Sequence, residues 1–380
     1  MTALETLRVQ AAPPAAAWAE GSEVTVPATL VERLGWRRFV DREGSLRIPP
    51  DAATPSTADA AALRELAAFT DVPPSSARLP ISYHTIPGWA RAAIGTAIGR
   101  WNRTRADRWG RFPRWPLDFS ADFLADLGNG AGGSLPQRKT PVVLSHDLDS
   151  PEGLSRLVSD FLSIEEEAGA RSTSYIVPCA WPIDAAQTDV VIARGHALGV
   201  HGYDHSNRTP FSDAAERRRR LDAAAPLVER YGIVGYRAPS LLRTRALLRD
   251  LGERYRYDSS IPTSGGPFPV PNNGCASARP FSLEGVVELP VTMPRDGTLR
   301  FLGFGPDAIA RLWIDCAEAI ARARGVVVLL THCERRFSGA APMVGAYRRF
   351  LAHIAGATDR FVFSTAAGVV DASMPARAAR

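Results

Sequence analysis

The stretch PVVLSHDLDSPEG, residues 141–153, contains the signals that decide the fold of this 380-residue chain. An aliphatic run predicts a strand, and the three residues Ser150, Pro151 and Glu152 predict a helix start. They supply a cap, a proline at the first helical position and an acid in the first turn. A strand that passes directly into a helix is the repeating unit of parallel sheets with helical crossovers.

The same alternation continues to the end of the chain. Short aliphatic runs predict strands at 141–146, 172–178, 197–202, 232–239, 255–260, 285–292, 325–332 and 360–365. Helix-length segments lie between them at 153–169, 213–230, 242–252, 306–323 and 340–356. Seven or eight such units predict an α/β fold, a (β/α) barrel or a close relative of one.

The chain before residue 140 has a different character. It is rich in alanine, proline and arginine and shows few strong strand signals. We therefore expect residues 1–139 to form an N-terminal extension that packs on the barrel and ends in a Gly-rich linker, 127–139. The barrel is expected at 140–372, followed by a tail at 373–380.

Composition narrows the class of protein. A hydrophobic content of 45% and a charged content of 22% are typical of globular proteins. The net charge of +5 suits anionic partners, but no recognition motif accompanies it, so we predict no nucleic-acid partner. The cysteines are scattered, which favours free thiols and a reducing compartment. No signal sequence or membrane-length apolar run is evident, so the sequence predicts a cytoplasmic protein of undetermined oligomeric state.

Polar side chains gather at the ends of the predicted strands. They are His146, Asp147, Asp149, His201, His205, Arg237, Asp258 and His332. Four of the chain's seven histidines are among them, which is more than scattered surface residues would give. Because the carboxyl ends of all strands in a (β/α) barrel open onto one face, we expect these side chains to converge there.

Their chemistry suggests a hydrolytic metal site. If the chain turns helically at HGYDH, His201 and His205 lie on one side, and one carboxylate added to two imidazoles binds a divalent ion with positions left open. Of Asp147 and Asp149, one carboxylate could hold the ion while the other takes a proton from water. His332 could donate a proton to a leaving amine.

Each of these residues also has an ordinary structural interpretation. The two aspartates could cap the helix that follows them, and Asp258 could cap a turn. His332 could be a satisfied core histidine, and Arg237 could form a surface ion pair. The functional interpretation depends on all of them lying together.

In combination these residues resemble the polysaccharide deacetylases of carbohydrate esterase family four, the NodB-homology domain. The resemblance covers about 140–370 and consists of five ordered motifs. They are LSHDLD (144–149), HGYDH (201–205), RAP (237–239), YDSS (257–260) and LLTH (329–332). Each motif alone is weak, but all five in order are specific.

The resemblance implies a distorted (β/α)7 barrel and a role for each residue. It implies that Asp147 is the catalytic base, positioned by Arg237, and that His332 is the general acid, tuned by Asp258. It implies a divalent metal on Asp149, His201 and His205. Zinc is expected, with cobalt, nickel or another divalent ion as alternatives. A backbone N–H near Ser240 would help to hold the oxyanion, and we expect His146, Tyr203, Pro239 and Ser240 to line the substrate site.

The implied reaction is hydrolysis of an N-acyl group, usually acetyl, from an amino sugar. Leu148 separates the two aspartates, and the aromatic residues that often follow the third and fourth motifs are missing, which leaves the sugar open. We expect an intracellular glycan precursor, nucleotide- or lipid-linked, or a polysaccharide. The alternatives are deformylation, opening of a cyclic amide, an iron(II) oxygenase and a non-catalytic sugar-binding relative.

Residues 89–115 combine four tryptophans with seven arginines and one acid. Such a stretch could dock on an anionic membrane surface or on a pyrophosphate. The alternative, which we favour, is a packing arm whose tryptophans cover the barrel while its arginines stay in water.

Overall fold

A computed structural model of the chain describes residues 4–9, 23–49, 52–66, 68–70, 72–78, 86, 88–105, 117–129, 138–263 and 274–374. The strands are β1 Leu4–Val9, β2 Glu23–Pro27, β3 Ser45–Leu46, β4 Thr140–Leu148, β5 Thr173–Ile176, β6 Ala197–Val200, β7 Gly235–Tyr236, β8 Tyr257–Asp258, β9 Phe281–Leu283, β10 Val286–Glu288, β11 Val327–Thr331 and β12 Phe361–Phe363.

The helices are α1 Ala28–Arg33, α2 Thr57–Glu65, α3 Ser75–Arg78, α4 Gly88–Arg105, α5 Ser120–Gly128, α6 Pro151–Arg156, α7 Leu162–Glu167, α8 Ala185–Ala193, α9 Ala214–Asp222, α10 Ala225–Tyr231, α11 Arg245–Gly252, α12 Asp296–Phe301, α13 Pro306–Arg322, α14 Ala341–Gly356 and α15 Ala366–Ser373. A π-helical turn, Leu157–Phe161, joins α6 to α7.

Seven parallel strands form the main sheet, in the order β11-β4-β5-β6-β7-β8-β10. β9 pairs antiparallel with β10, and β12 pairs parallel with the start of β4. The sheet curls until the segment after β10 meets β11, where Met293 N donates to the carbonyl of Val328 over 3.1 Å. Thr292 Oγ1 donates to the carbonyl of Val326 and accepts from Val328 N. The predicted α/β fold with a barrel-like sheet is confirmed.

Alternation along β4 separates the inside of the barrel from the helical layer, because successive side chains of a strand point to opposite faces. Val143 packs inward with the interior cluster of Tyr175, Tyr257, Leu289, Val326 and Val328. Val142 and Leu144 instead belong to the large core between the sheet and its helices. Consequently Ser145 and Asp147 face the interior, whereas His146 faces the helices.

All eight predicted strands are present, although β7 and β8 are only two residues long. The predicted helix 213–230 is two helices, since Pro226 lacks the N–H that would continue the first one. The sequence analysis missed β9, α8, α12 and α15, which are all nine residues or shorter. Short elements give too few residues for a periodic pattern to emerge.

The N-terminal part contains a three-stranded sheet, β2-β1-β3, that the sequence did not predict. Its core, which includes Trp36, Leu46 and Phe123, extends to Ala276 and Ala323 of the barrel. The predicted linker begins too early, because Leu127 and Gly128 are the last residues of α5 and Leu127 is buried. Residues 130–137 of that linker lie outside the described residues.

The basic aromatic stretch begins on α4, which packs closely on α12. A β-carbon on Gly99 would lie 2.1 Å from the carbonyl oxygen of Phe301, so only glycine permits this approach. Trp101 is 64% exposed, so this tryptophan does not cover the barrel as the packing-arm interpretation expected. Residues 106–116 lie outside the described residues. Within the described residues, every helix is too short or too polar to traverse a bilayer.

Asp122 of α5 connects the N-terminal part to the barrel. Its buried carboxylate accepts hydrogen bonds from Ser277 Oγ over 2.6 Å and from Ala278 N over 2.7 Å. Nearby, Asp126 receives a bidentate contact from Arg279. The carboxylate of Asp122 thus supplies buried donors with the hydrogen-bond acceptor that water cannot provide there.

Replacing Asp122 with alanine should lower the free energy of unfolding by about 2–4 kcal/mol, because buried donors lose their acceptor. Chemical denaturation followed by circular dichroism measures this. The control is Asp189→Ala, which breaks an exposed pair with Arg230 and should cost less than about 1 kcal/mol. Equal effects of the two substitutions would contradict a specific role for Asp122.

Candidate active site

Asp147, at the end of β4, is held by a buried arginine. Arg237 Nη1 donates to Asp147 Oδ1 over 3.0 Å and to Ser145 Oγ over the same distance. The guanidinium also donates to the carbonyl and hydroxyl of Ser259, and its carbon lies 4.0 Å above the ring centre of Tyr175. Arg237 is therefore fixed on all sides, and it fixes the carboxylate in turn.

This environment keeps Asp147 ionised. Burial opposes ionisation, but the positive charge of the neighbouring Arg237 helps to outweigh it, and the pKa of the carboxyl lies below its ordinary value. A charged carboxylate near the carboxyl end of β4, facing the interior of the barrel, can accept a proton.

Asp149, His201 and His205 form the second part of the site, as a cluster that could hold a metal ion. One ligand atom from each lies within 4.8 Å of the others. Asp149 Oδ1 is 3.6 Å from His201 Nε2 and 3.1 Å from His205 Nε2. HGYDH does not form a helical turn, so helical spacing is not what brings His201 and His205 together. Gly202 and His205 adopt positive φ angles, and this irregular loop brings the two rings within 5.1 Å.

The donor set fits a divalent cation. His201 Nδ1 lies 2.9 Å from the carbonyl oxygen of Arg237, so the hydrogen belongs on Nδ1 and the Nε2 lone pair faces Asp149. Burial lowers the pKa of His201 to about 4, which keeps the imidazole neutral at physiological pH. Asp149 Oδ1 is buried and accepts no well-aligned hydrogen bond from the described residues, as expected of a ligand atom.

His332, at the end of β11, faces the same space as Asp147 and Asp149, which we call the cleft. It is paired with Asp296. Its Nδ1 lies 2.7 Å from Asp296 Oδ1, and its backbone N–H donates to Asp296 Oδ2 over 2.8 Å. Ser338 Oγ donates to the same carboxylate. Burial opposes a charge on His332, but Asp296 outweighs it and raises the pKa of the imidazole to about 9.

Asp258 does not contact His332, and the structure corrects that part of the expectation. In β8 the inward residue is Tyr257, whose hydroxyl accepts a hydrogen bond from Tyr175 Oη, so Asp258 points outward. Asp258 Oδ1 accepts from Ser260 Oγ over 2.6 Å, and Ser260 Oγ accepts from Ala238 N. Asp258 thus supports the backbone beside Arg237 from behind the sheet.

His146 is likewise placed away from the cleft, contrary to the expected role in the substrate site. It is 0% exposed, and its Nε2 lies 2.7 Å from Glu165 Oε1 in the helical layer. Because it alternates with Ser145 and Asp147 along the strand, it cannot share their face.

The other three predicted substrate residues lie on loops that follow strands. Pro239 is buried, and a β-carbon on Gly202 would lie 2.5 Å from its ring, so it shapes the HGYDH loop. Ser240 has a φ of 54°, and the next two backbone N–H groups, of Leu241 and Leu242, donate to the carbonyls of Ala238 and Pro239. Tyr203 lies half-buried at the rim beneath Arg219 and Arg220.

Two buried acids at the site, Asp296 and Glu334, were not predicted from the sequence. Asp296 lies four residues after the strand predicted at 285–292, at the start of α12, a helix too short to give a periodic pattern. Glu334 lies two residues after His332, and its carboxylate accepts from Ser150 Oγ over 2.8 Å. Burial raises the pKa of Glu334 to about 7.

In the metal-free protein, pairing with Asp296 should hold the pKa of His332 at about 9. The stability that the pair contributes is full below the ordinary pKa of 6.5 and is lost as the pH rises through about 9. Asp296→Asn should lower the pKa of His332 and remove this stability. Imidazole NMR titration reports the pKa, and the control Asp258→Asn should leave it unchanged. A His332 pKa that follows Asp258 instead would contradict the pairing.

Comparisons with known proteins bear on the fold. No protein-family model matches the sequence, and a search of curated proteins finds no match. Among solved structures, the allantoinase PuuE shares 16% identity, with 70% of this chain and 100% of that chain covered and a TM-score of 0.49. A protein from Mycobacterium smegmatis assigned to the polysaccharide deacetylases shares 20% identity, with 65% and 96% covered and a TM-score of 0.48.

A family 4 carbohydrate esterase from Streptomyces lividans, in complex with acetate, is also similar. It shares 15% identity, with 57% of this chain and 88% of that chain covered and a TM-score of 0.38. Polysaccharide deacetylases and family 4 esterases are therefore among the structural neighbours.

Proposed function

We propose that this protein is a metal-dependent hydrolase that removes an N-acyl group, acetyl by expectation, from an amino sugar. The observation that carries the proposal is the arrangement of three parts in one cleft. An ionised carboxylate, Asp147, and a protonated histidine, His332, face the same cluster of metal-ligand type. A base, an acid and a cation site are the minimum for hydrolysing an amide.

Asp149, His201 and His205 would hold the cation, for which zinc is the first expectation. When bound, the cation would supply Lewis-acid polarisation of the acyl oxygen and would lower the pKa of a water molecule. The neutral His201 and the buried Asp149 Oδ1, which lies 3.1 Å from His205 Nε2, suit this role.

The protein's own groups would then move the protons. Asp147 accepts a proton from the attacking water, and Arg237 keeps its carboxylate ionised and aimed into the cleft. His332 is protonated at neutral pH and donates to the nitrogen of the leaving amine, with Asp296 holding its ring. The N–H of Ser240 would stabilise negative charge on the acyl oxygen.

The acyl group and the sugar define the alternatives within this proposal. Formyl hydrolysis and opening of a cyclic amide need the same base, acid and ligands, so the product distinguishes them. We expect a nucleotide- or lipid-linked amino sugar of an intracellular glycan precursor, or a polysaccharide. A sugar-binding protein without catalysis would have no use for the charged Asp147 and His332, and a parallel barrel differs from the antiparallel barrel usual for iron(II) oxygenases.

The test measures acetate and formate released from a panel of nucleotide-linked, lipid-linked and polymeric amino sugars, with zinc or cobalt supplied. Asp147→Asn should lower kcat by about 10²- to 10⁴-fold and leave metal affinity unchanged, because only the base is lost. His205→Ala should lose both activity and tight metal binding, measured by calorimetry.

The controls are Asp189→Asn and His353→Ala, which lie on the outer helices α8 and α14 and should behave as the wild type. An Asp147→Asn protein with full activity would exclude Asp147 as the base. Oxygen-dependent turnover with iron would favour the oxygenase instead.

A further inference from the structure

A cluster of buried polar side chains lies directly behind the cleft, next to β4 and β11. His146 Nδ1 is 2.9 Å from Thr331 Oγ1, and His146 Nε2 is 2.7 Å from Glu165 Oε1. All three side chains are 0% exposed. We call His146, Thr331 and Glu165 the outer clamp. The proposed mechanism uses none of them.

The position of the clamp along the two strands is informative. The ladder between β4 and β11 ends at the pair of His146 with Thr331. The next residues are Asp147 and His332, the proposed base and acid, and they point to the opposite face. The clamp is therefore the last cross-link between the strands before the two residues whose separation matters for proton transfer.

Glu165 anchors the clamp to the helices. Its Oε1 also accepts from Tyr347 Oη of α14 over 2.7 Å, and the ring of Phe161 stacks edge-on against His146 at 5.5 Å. Because Glu165 Oε1 can only accept, His146 Nε2 carries the hydrogen, and Nδ1 makes one hydrogen bond to Thr331 in either protonation state. A buried carboxylate with two donors holds the imidazole in one orientation.

We propose that the His146–Thr331 hydrogen bond, held by Glu165, is a positioning contact that sets the separation of Asp147 and His332. The inference rests on the proposed function, because the separation of Asp147 and His332 matters for catalysis only if they act as base and acid. Small displacements of reacting groups are costly in catalysis, about 10²-fold for 1 Å. A buried hydrogen bond at the strand ends would prevent such displacements.

The decisive variant is Thr331→Val, which removes the hydroxyl and keeps the shape of the side chain. We expect kcat to fall by about 10- to 100-fold with KM changed less than about twofold, because substrate contacts remain while the reacting groups shift. Thr331→Ser restores the hydroxyl and should recover most of kcat. Thr188→Val is the matched control: it removes a buried hydroxyl from α8, should cost similar stability, and should leave kcat unchanged.

Two outcomes would overturn the proposal. One is a kcat for Thr331→Val within about twofold of the control, and the other is an equal loss of kcat in Thr331→Val and Thr331→Ser, which would indicate packing by the methyl group. If Thr331→Val does not fold, Tyr347→Phe provides a second test. It removes one donor to Glu165 without altering either strand, and kcat should fall by a smaller factor with KM retained; an unchanged kcat would count against the clamp.

A measurement without turnover separates this proposal from the proposed function. If the wild-type protein releases no acyl group from the panel, the proposed function fails. Crystal structures of the wild type and Thr331→Val then decide the clamp alone, through the distance between the Asp147 carboxylate and the His332 imidazole. A longer or more variable distance in the variant supports the clamp, and an unchanged distance refutes it.

Discussion

The guanidinium of Arg237 is the group on which the arrangement of the cleft depends. It is fully buried, yet it contacts side chains from β4 and β5 and the chain just after β8, while its own carbonyl orients His201. A buried charge is expensive unless it is paired and hydrogen-bonded, and here each donor group has a partner. The requirement to satisfy this one cation places the base, orients a ligand histidine and fixes the strand ends relative to one another.

The sequence was sufficient to predict the barrel and the members of the cleft, for a physical reason. Parallel strands buried on both faces are short aliphatic runs, and the polar residues that follow them stand out against that background. This contrast identified six residues from the sequence: Asp147, Asp149, His201, His205, Arg237 and His332. Their convergence follows from topology, which requires that the carboxyl ends of parallel strands meet at one end of the sheet.

The sequence could not assign the face on which a strand-end residue lies. His146 precedes the inward-facing Asp147 by one position and Asp258 follows the inward-facing Tyr257 by one position, so both point away from the interior of the barrel. Asp296 is far from His332 in sequence, and only closure of the barrel brings the two together. The N-terminal sheet escaped prediction because β1 and β2 are isolated strands without the repeating context that identified the others.

The closure of the barrel has a consequence for how the cleft holds together. Between β10 and β11 the ring is completed, at a seam, by hydrogen bonds from Thr292 and Met293 rather than by a regular ladder. Asp296 and His332 lie on opposite sides of that seam. The carboxylate that raises the pKa of His332 therefore also links the two sides of the seam, because it accepts hydrogen bonds from the imidazole and backbone of His332 and from Ser338. One side chain therefore sets the pKa of His332 and also connects the two sides of the seam. Neither property can be altered at Asp296 without altering the other.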